Sequence, residues 1–143
     1  MEHEKYMRMA LLEAQKAADA GEVPVGAIIV CKNRLIARAH NQTEMLNDVT
    51  AHAEILAITS AANSLGAKYL TNCTIYVTLE PCAMCAGALS WAQISTIVYG
   101  ANDNKKGYSC YNEKIIHPKT NVIQGVLANE CEKLMKDFFE KKR

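Results

Sequence analysis

Residues 74–88 read TIYVTLEPCAMCAGA and join a run of β-branched and aromatic residues directly to a segment of good helix formers. The run predicts a β-strand over 74–78, and Pro81 is typical of the first turn of a helix, which continues to Trp91. A second apolar run follows at 96–100. Because strand–helix–strand units cross over in the right-handed sense, we expect the two strands to lie parallel in one sheet.

The segments before this unit predict a helix and a hairpin. Five apolar residues recur at intervals of three and four and form one stripe on a helix that Gly21 can end: Met7, Ala10, Leu11, Ala14 and Ala18. Apolar runs at 25–31 and 35–41 flank the polar pair Lys32-Asn33, a spacing typical of a β-hairpin. Thr50 is expected to cap a second helix over 51–63.

The segments after the unit complete the prediction of the fold. Residues 101–121 are mostly polar and predict a loop with a short helical turn, and Val122-Ile123 predicts an edge strand. Asn129 and Glu132 resemble a capping box at the start of a last helix. Together these elements predict a single three-layer α/β domain over residues 1–143.

Length and composition exclude several classes of protein. The chain has 143 residues, 50% hydrophobic and 22% charged, which is typical of a globular domain and not of a disordered chain. No apolar stretch approaches the roughly 20 residues that a membrane-spanning helix needs. The first residues are charged, unlike a signal peptide, so we expect a cytoplasmic protein that does not enter a membrane and whose six cysteines stay reduced.

The Cys-x-x-Cys pair at Cys82 and Cys85 has three interpretations. Two thiolates three residues apart at a helix start can face one metal ion, and the helix N-terminus favours their negative charge. The same spacing also occurs in redox pairs and in ordinary cores. A structural zinc site would need two further ligands from a scattered set: Cys31, Cys73, Cys110, Cys131, His40 and His117.

His52-Ala53-Glu54 favours the metal-site interpretation of the Cys pair over the other two. An imidazole is a suitable third zinc ligand, and a site with three protein ligands keeps a coordination position for water, as catalytic zinc sites do. Residues two apart on a helix do not face the same way, so Glu54 is not expected to join His52 on the metal. A carboxylate beside the metal suits a proton shuttle.

His-x-Glu followed by Pro-Cys-x-x-Cys resembles the zinc-dependent nucleobase deaminases of the cytidine/deoxycytidylate deaminase superfamily. The resemblance covers nearly the whole chain and is strongest with the bacterial tRNA-specific adenosine deaminase family. Four blocks carry it: Glu22 to Ala27, Thr50 to Ile55, Tyr76 to Ala88, and residues 125–127 with Glu130-Cys131. Val49, Asn102 and Lys106 depart from the residues usual in that family.

The resemblance implies a three-layer α/β/α cytidine-deaminase-like fold with a mixed five-stranded sheet. It further implies a homodimer, one Zn²⁺ per subunit, and conversion of adenosine to inosine at the wobble position, the first base of the anticodon, of a tRNA. His52, Cys82 and Cys85 carry over as the zinc ligands, and Glu54 as the general acid and base. The substrate-binding positions that carry over are Val23, Asn41, Ala53, Leu79 and Asp103, with the Ala53 backbone N–H available to the base.

Contacts with the tRNA anticodon stem-loop are expected from the basic part of the chain. Residues 101–143 contain 9 Lys and Arg against 6 Asp and Glu, whereas residues 1–100 contain 7 against 9. The stretch 101–121 and the terminal Lys141-Lys142-Arg143 are therefore the candidates for phosphate contacts, although surface lysines also occur without such a role.

Three other functions remain open from the residues alone. The same centre could deaminate a free nucleobase or nucleoside of the guanine or cytosine type, since a fold does not determine a substrate. A zinc-stabilised interaction module would enclose the ion fully, and a redox module would hold no ion at Cys82 and Cys85. Trp91, beyond the Cys pair on the same helix, is expected to serve in packing, including at a dimer face.

Overall fold

The structure, a computed structural model, describes residues 2–142. Helices and strands follow one another in the order α1 (Glu2–Asp19), β1 (Gly26–Cys31), β2 (Arg34–His40), α2 (Ala53–Leu65), β3 (Cys73–Leu79), α3 (Ala83–Ala92), β4 (Thr96–Ala101), β5 (Asn121–Gln124) and α4 (Ala128–Lys141). Two 3-10 turns, Tyr108–Cys110 and Glu113–Ile115, lie between β4 and β5. Within residues 2–142, no helix has both the length and the apolar character needed to cross a membrane.

The five strands form one mixed sheet in the order β2-β1-β3-β4-β5. β1 pairs antiparallel with β2 and with β3, whereas β3 with β4 and β4 with β5 pair parallel. The predicted hairpin, the parallel pair around the crossover helix and the edge strand at Val122-Ile123 are thus confirmed. β2, β3 and β4 all point the same way, so their carboxyl ends meet at one edge of the sheet.

Helices cover both faces of the sheet, which confirms the predicted three layers. Ile28 of β1 packs with Met7 of α1 and with Cys131 of α4 in one buried cluster. The next residue, Ile29, packs on the opposite face in a second cluster with Ala57 of α2 and Leu89 of α3. This alternation follows from the two-residue period of a strand.

α1 lies directly against the start of β1. A methyl group added at Gly26 would overlap the backbone of Ala10 and of Ala14, so only a glycine allows this approach. The close packing holds the amino-terminal end of β1 at the sheet edge where β2, β3 and β4 end.

Three helix starts differ from the prediction. Pro81 lies before α3 and not in its first turn, because Cys82 is the N-cap. The Thr50 hydroxyl donates to Asp48 Oδ1 at 2.8 Å instead of capping a helix, and α2 begins at Ala53 after His52. Asp48 and Thr50 thus form a turn of their own, which uses the hydroxyl that an N-cap would need. The capping box is also wrong, because α4 begins at Ala128, after Leu127 with φ 55°, and Asn129 lies inside the helix.

Candidate metal centre and substrate cleft

The candidate site lies where the strands end. β2 leads into Asn41, β3 into Glu80 and Cys82, and β4 into the segment from Asn102 onwards. α2 brings its N-terminus to the same edge with His52 immediately before it. In open α/β sheets this edge is the usual place for a ligand, because the loops there are free to vary on a rigid support.

Three potential metal ligands meet at this edge. His52 Nδ1 lies 3.7 Å from Cys82 Sγ and 3.5 Å from Cys85 Sγ. All three ligand atoms lie within 4.8 Å of one another, and within residues 2–142 they form the one group of three or more His, Cys, Asp or Glu ligand atoms this close together. A structural zinc site with a fourth protein ligand is therefore not formed by the described residues.

The spacing of these atoms fits a zinc ion. Zn–S bonds of about 2.3 Å and Zn–N bonds of about 2.0–2.1 Å at a tetrahedral angle separate nitrogen from sulfur by about 3.6 Å. Both measured distances, 3.7 and 3.5 Å, lie within 0.2 Å of this value. One imidazole and two thiols are also the donor set that zinc prefers, and three protein ligands leave one position for solvent or substrate.

Two helix N-termini favour negative charge at the thiols. Cys82 precedes α3 and His52 precedes α2, both with extended backbone and without a side-chain cap bond. A hydrogen bond from Cys85, and another from His52, lower the pKa of Cys82 to about 4 although burial opposes this. The same bond to Cys82, together with burial, raises the pKa of Cys85, so that the two thiols share one proton. A cation held between them would deprotonate both.

Glu54 lies in the first turn of α2 and is buried, with 4% of its surface exposed. Burial raises the pKa of this carboxyl from 4.5 to about 7. A carboxyl with a pKa near neutrality can both accept and donate a proton at physiological pH. The structure brings Glu54 into the cleft that His52 and Cys82 line.

The cleft has a volume of about 990 Å³, at the upper end for pockets that hold a small ligand. Four of the five expected substrate-binding residues line it: Val23, Asn41, Leu79 and Asp103. Ala53 does not line it. Its backbone N–H was expected to be available to a base, but it donates to Asn41 Oδ1 at 2.7 Å. That expectation is wrong because the end of β2 supplies a buried acceptor for the first amide of α2.

Lysines from two parts of the chain border the cleft. Lys105 and Lys106 belong to the basic stretch after β4, and Lys142 lies just beyond α4. Asp103 stabilises the turn of this stretch, since its Oδ1 accepts the backbone N–H groups of Lys105 and Lys106 at 3.1 and 3.0 Å. Arg143, the last of the expected phosphate contacts, lies outside the described residues.

Sequence reasoning missed several residues that line the cleft, three of which are a threonine and two apolar residues. Thr43 follows β2, and Met135 and Phe139 lie on α4. Phe139 is 46% exposed and lines the cleft, so this side chain of α4 is not fully buried in the core. Its position at the C-terminal end of an amphipathic helix, beside a run of lysines, was the one available signal.

Comparisons with known proteins agree with this geometry. The sequence profile of the MafB19-like deaminase family matches residues 1–143. A tRNA-specific adenosine deaminase of Agrobacterium fabrum is 42% identical over 147 residues, covering 99% of this chain and 97% of the relative.

Two solved structures are similar as well. One, from studies of A-to-I editing by tRNA:A34 deaminases at the wobble position, has a TM-score of 0.85 and 42% identity over 91% of this chain and 98% of its own. A guanine deaminase of Bacillus subtilis has a TM-score of 0.68 and 40% identity over 71% of this chain and 66% of its own. The match over the full length, together with the His-Cys-Cys group and the buried glutamate beside it, shows that the chain belongs to the MafB19-like deaminase family.

Proposed function

We propose that this protein, with residues 1–143 as one deaminase domain, converts adenosine to inosine at the wobble position of tRNA in the cytoplasm. One observation carries the proposal: the buried Glu54 carboxylate faces the same cleft as His52 and Cys82. The likeness to a tRNA-specific adenosine deaminase over 99% of the chain supports the choice of substrate.

In this proposal one zinc ion is held by His52 Nδ1 and by the Sγ atoms of Cys82 and Cys85. When bound, zinc supplies a Lewis acid that lowers the pKa of a coordinated water to about 7. The buried surroundings of Glu54 keep its carboxyl close enough to neutrality to take part in both halves of a hydrolysis.

Glu54 acts as the proton carrier. It accepts a proton from the attacking water as the water oxygen bonds to C6 of adenine, and it delivers that proton to N1. The second proton of the water reaches the amine at C6, also through Glu54, and the C6–N6 bond breaks. Adenosine and water thus give inosine and ammonia.

The walls of the cleft suit a nucleobase and the sugar–phosphate backbone that carries it. Val23 and Leu79 offer apolar surface to a flipped base, and Asn41 offers an amide. The exposed Phe139 offers a ring on which a neighbouring base can stack. Lys105, Lys106 and Lys142 are placed to meet phosphates, which a free base would not bring.

A homodimer is proposed from one face of α3. Met84 and Trp91 are seven residues apart, on the same side of this helix, and they are 39% and 85% exposed. An indole left this open on an apolar helix face is typical of a surface that a partner covers. The proposed partner is a second copy of this chain.

The test of the reaction is a comparison of substrates. Purified protein is incubated with total tRNA and, separately, with free adenine, guanine, cytosine and their nucleosides, and products are identified by mass spectrometry. We expect inosine in tRNA only, and its loss with Glu54→Gln but not with Glu4→Gln, an exposed glutamate on α1. The amide of Glu54→Gln cannot carry a proton, so turnover should fall by at least about 100-fold.

A second candidate, deamination of free guanine, has one observation in its favour, the likeness to a guanine deaminase of B. subtilis at 40% identity. It predicts xanthine from guanine and no change in tRNA. That result would replace the wobble reaction with the nucleobase reaction at the same centre.

A further inference from the structure

Two buried carboxylates bond to segments that line the cleft and have no part in the proposed chemistry. Glu22 is 2% exposed and Glu80 is 3% exposed. Each accepts hydrogen bonds from a different loop at the mouth of the cleft: the first rim loop, residues 43–45, and the second rim loop, residues 103–109. An ionised group buried in this way is costly unless several donors satisfy it.

Glu22 holds the first rim loop through three hydrogen bonds. Its Oε2 accepts the Met45 backbone N–H at 2.8 Å, and its Oε1 accepts the Glu44 N–H at 3.1 Å and the Thr43 hydroxyl at 3.4 Å. Burial alone would raise the pKa of Glu22, but hydrogen bonds from these two amides and the hydroxyl lower it. Thr43, at the start of this loop, lines the cleft.

Glu80 holds the second rim loop in the same manner. Its Oε1 accepts the Asp103 backbone N–H at 3.1 Å, and its Oε2 accepts the Ser109 N–H at 3.1 Å and the Ser109 hydroxyl at 2.6 Å. Both ends of the loop are therefore held by one side chain. Glu80 lies two residues before Cys82, so this loop is tied to the strand end that supplies a proposed metal ligand.

Gly107 shows how closely the second rim loop approaches Glu80. A methyl group at this position would overlap the Glu80 carboxylate. The backbone of Gly107 has φ −60°, which any residue can adopt, so close approach and not backbone conformation requires the glycine. The loop also donates from Tyr108 N–H to the Pro81 carbonyl at 2.9 Å.

Glutamine cannot replace either carboxylate without loss. Both oxygens of Glu22 and both oxygens of Glu80 accept from N–H groups. A glutamine would turn its own NH₂ group toward one of these donors, leaving two donors facing each other. The arrangement thus depends on two acceptor oxygens at each position.

We propose that Glu22 and Glu80 are positioning residues that hold the two rim loops in the conformation that binds the nucleotides beside the target base. The inference rests on the proposed function, because it assigns the loops to the same RNA substrate. The second rim loop contains Lys105 and Lys106, and the first begins with Thr43, so all three side chains depend on these anchors for their place at the cleft. The reacting base itself lies deeper, near Glu54.

Kinetics with an anticodon stem-loop test this role. Glu22→Gln and Glu80→Gln should each raise KM about tenfold, keep kcat within about threefold, and retain one zinc per chain. The matched controls are Glu4→Gln and Glu113→Gln, exposed glutamates outside both rim loops whose carboxylates hold no loop. If kcat and zinc content fall while KM stays constant, the two residues support only the fold, and the proposal is overturned.

A double-mutant cycle tests the contact between Gly107 and Glu80. Gly107→Ala should raise KM about tenfold by displacing the carboxylate, and it should add less than about twofold in the Glu80→Ala background, where the space is free. Equal effects in both backgrounds would show that Glu80 does not carry the effect of the glycine.

Hydrogen exchange separates this inference from the proposed function. Without any substrate, the amides of Asp103 and Ser109 should exchange at least tenfold faster in Glu80→Gln, and those of Glu44 and Met45 in Glu22→Gln. Unchanged exchange overturns the anchoring. If the wild-type protein deaminates no RNA, the proposed function fails and the positioning of RNA fails with it, while faster exchange would still show that the carboxylates hold the loops.

Discussion

The backbone N–H of Ala53 donates to Asn41 Oδ1 at 2.7 Å, joining the end of β2 to the first turn of α2. The bond decides the orientation of the Asn41 amide, because only its oxygen can accept this proton. The Nδ2 group is then left as the polar group that Asn41, only 8% exposed, can offer to the cleft it lines. We therefore propose that Asn41 donates a hydrogen bond to the substrate.

Asn41→Asp separates the two roles of this side chain. A carboxylate still accepts the Ala53 N–H, so α2 and the zinc content should be retained, but it cannot donate to the substrate. We expect kcat/KM for an anticodon stem-loop to fall at least about 100-fold, because a buried hydrogen-bond partner is lost. Asn41→Ala should in addition lower the melting temperature. Normal kcat/KM in Asn41→Asp would show that the donor is not used.

The four central side chains could be predicted from the sequence because short local motifs carry them. His52 and Glu54 are two residues apart and Cys82 and Cys85 three apart, and each pair begins a helix that points at the sheet edge. The use of the Ala53 amide could not be predicted, since it depends on where Asn41 lies in three dimensions. A hydrogen bond across twelve residues leaves no periodic signal.

The loop anchors were missed for a related reason. Glu22 precedes β1 and Glu80 directly follows β3, and in a sequence an acidic residue beside a strand cannot be distinguished from a surface residue. Only the structure shows that both are at most 3% exposed and that backbone amides satisfy them. Gly107 was the single residue in the sequence that could indicate such an anchor. It becomes informative only once the Glu80 carboxylate is known to lie against it.

Burial of Glu54 predicts a pH-dependent stability of the metal-free protein. Its pKa is about 7 in the folded protein against 4.5 ordinarily, so folding favours the protonated form. The contribution of Glu54 to the free energy of unfolding is fully present below pH 4.5. It falls by about 3 kcal/mol in all as the pH rises through 7.

Glu54→Gln cannot ionise and should escape this loss. After removal of zinc with a chelator, its melting temperature should exceed that of the wild type by several degrees at pH 8, and the gap should close near pH 5. Glu4→Gln, which changes an exposed glutamate, should follow the wild type at both values. A gap that does not change with pH would contradict the burial of an ionisable Glu54.

Substitution of a proposed zinc ligand should remove metal and stability together. Cys82→Ser and Cys85→Ser should each weaken zinc binding by more than about 100-fold. Loss of a residue that only hydrogen-bonds to a metal ligand already lowers metal affinity about 10–100-fold. Bound zinc stabilises the folded state, so both variants should also melt earlier in zinc-containing buffer. Cys110→Ser, at an exposed cysteine, should keep one zinc per chain by elemental analysis. Full zinc content in both site variants would refute the ligand assignment.

The lysines at the cleft should make binding of RNA depend on salt. Each of Lys105→Gln, Lys106→Gln and Lys142→Gln should raise KM for the stem-loop several-fold and reduce the slope of log KM against log salt by about 0.7. Lys119→Gln, an exposed lysine away from the cleft, serves as the control and should leave the slope unchanged. A wild-type KM that does not vary between about 50 and 200 mM salt would argue against a polyanionic substrate.

Trp91→Glu should convert the proposed dimer into a monomer. In a twofold-symmetric interface the residue occurs twice, and a central aromatic contact contributes about 2 kcal/mol or more, so two copies amount to about 4 kcal/mol, or roughly 10³-fold in the dimer Kd. Sedimentation over a range of protein concentrations measures this shift. Tyr111→Glu, which changes an aromatic residue that is 60% exposed in the loop after β4, should sediment as the wild type. Trp91 is 85% exposed in the single chain, so its substitution should not disturb the fold of the monomer. A dimer that persists in Trp91→Glu would place the interface elsewhere than on α3.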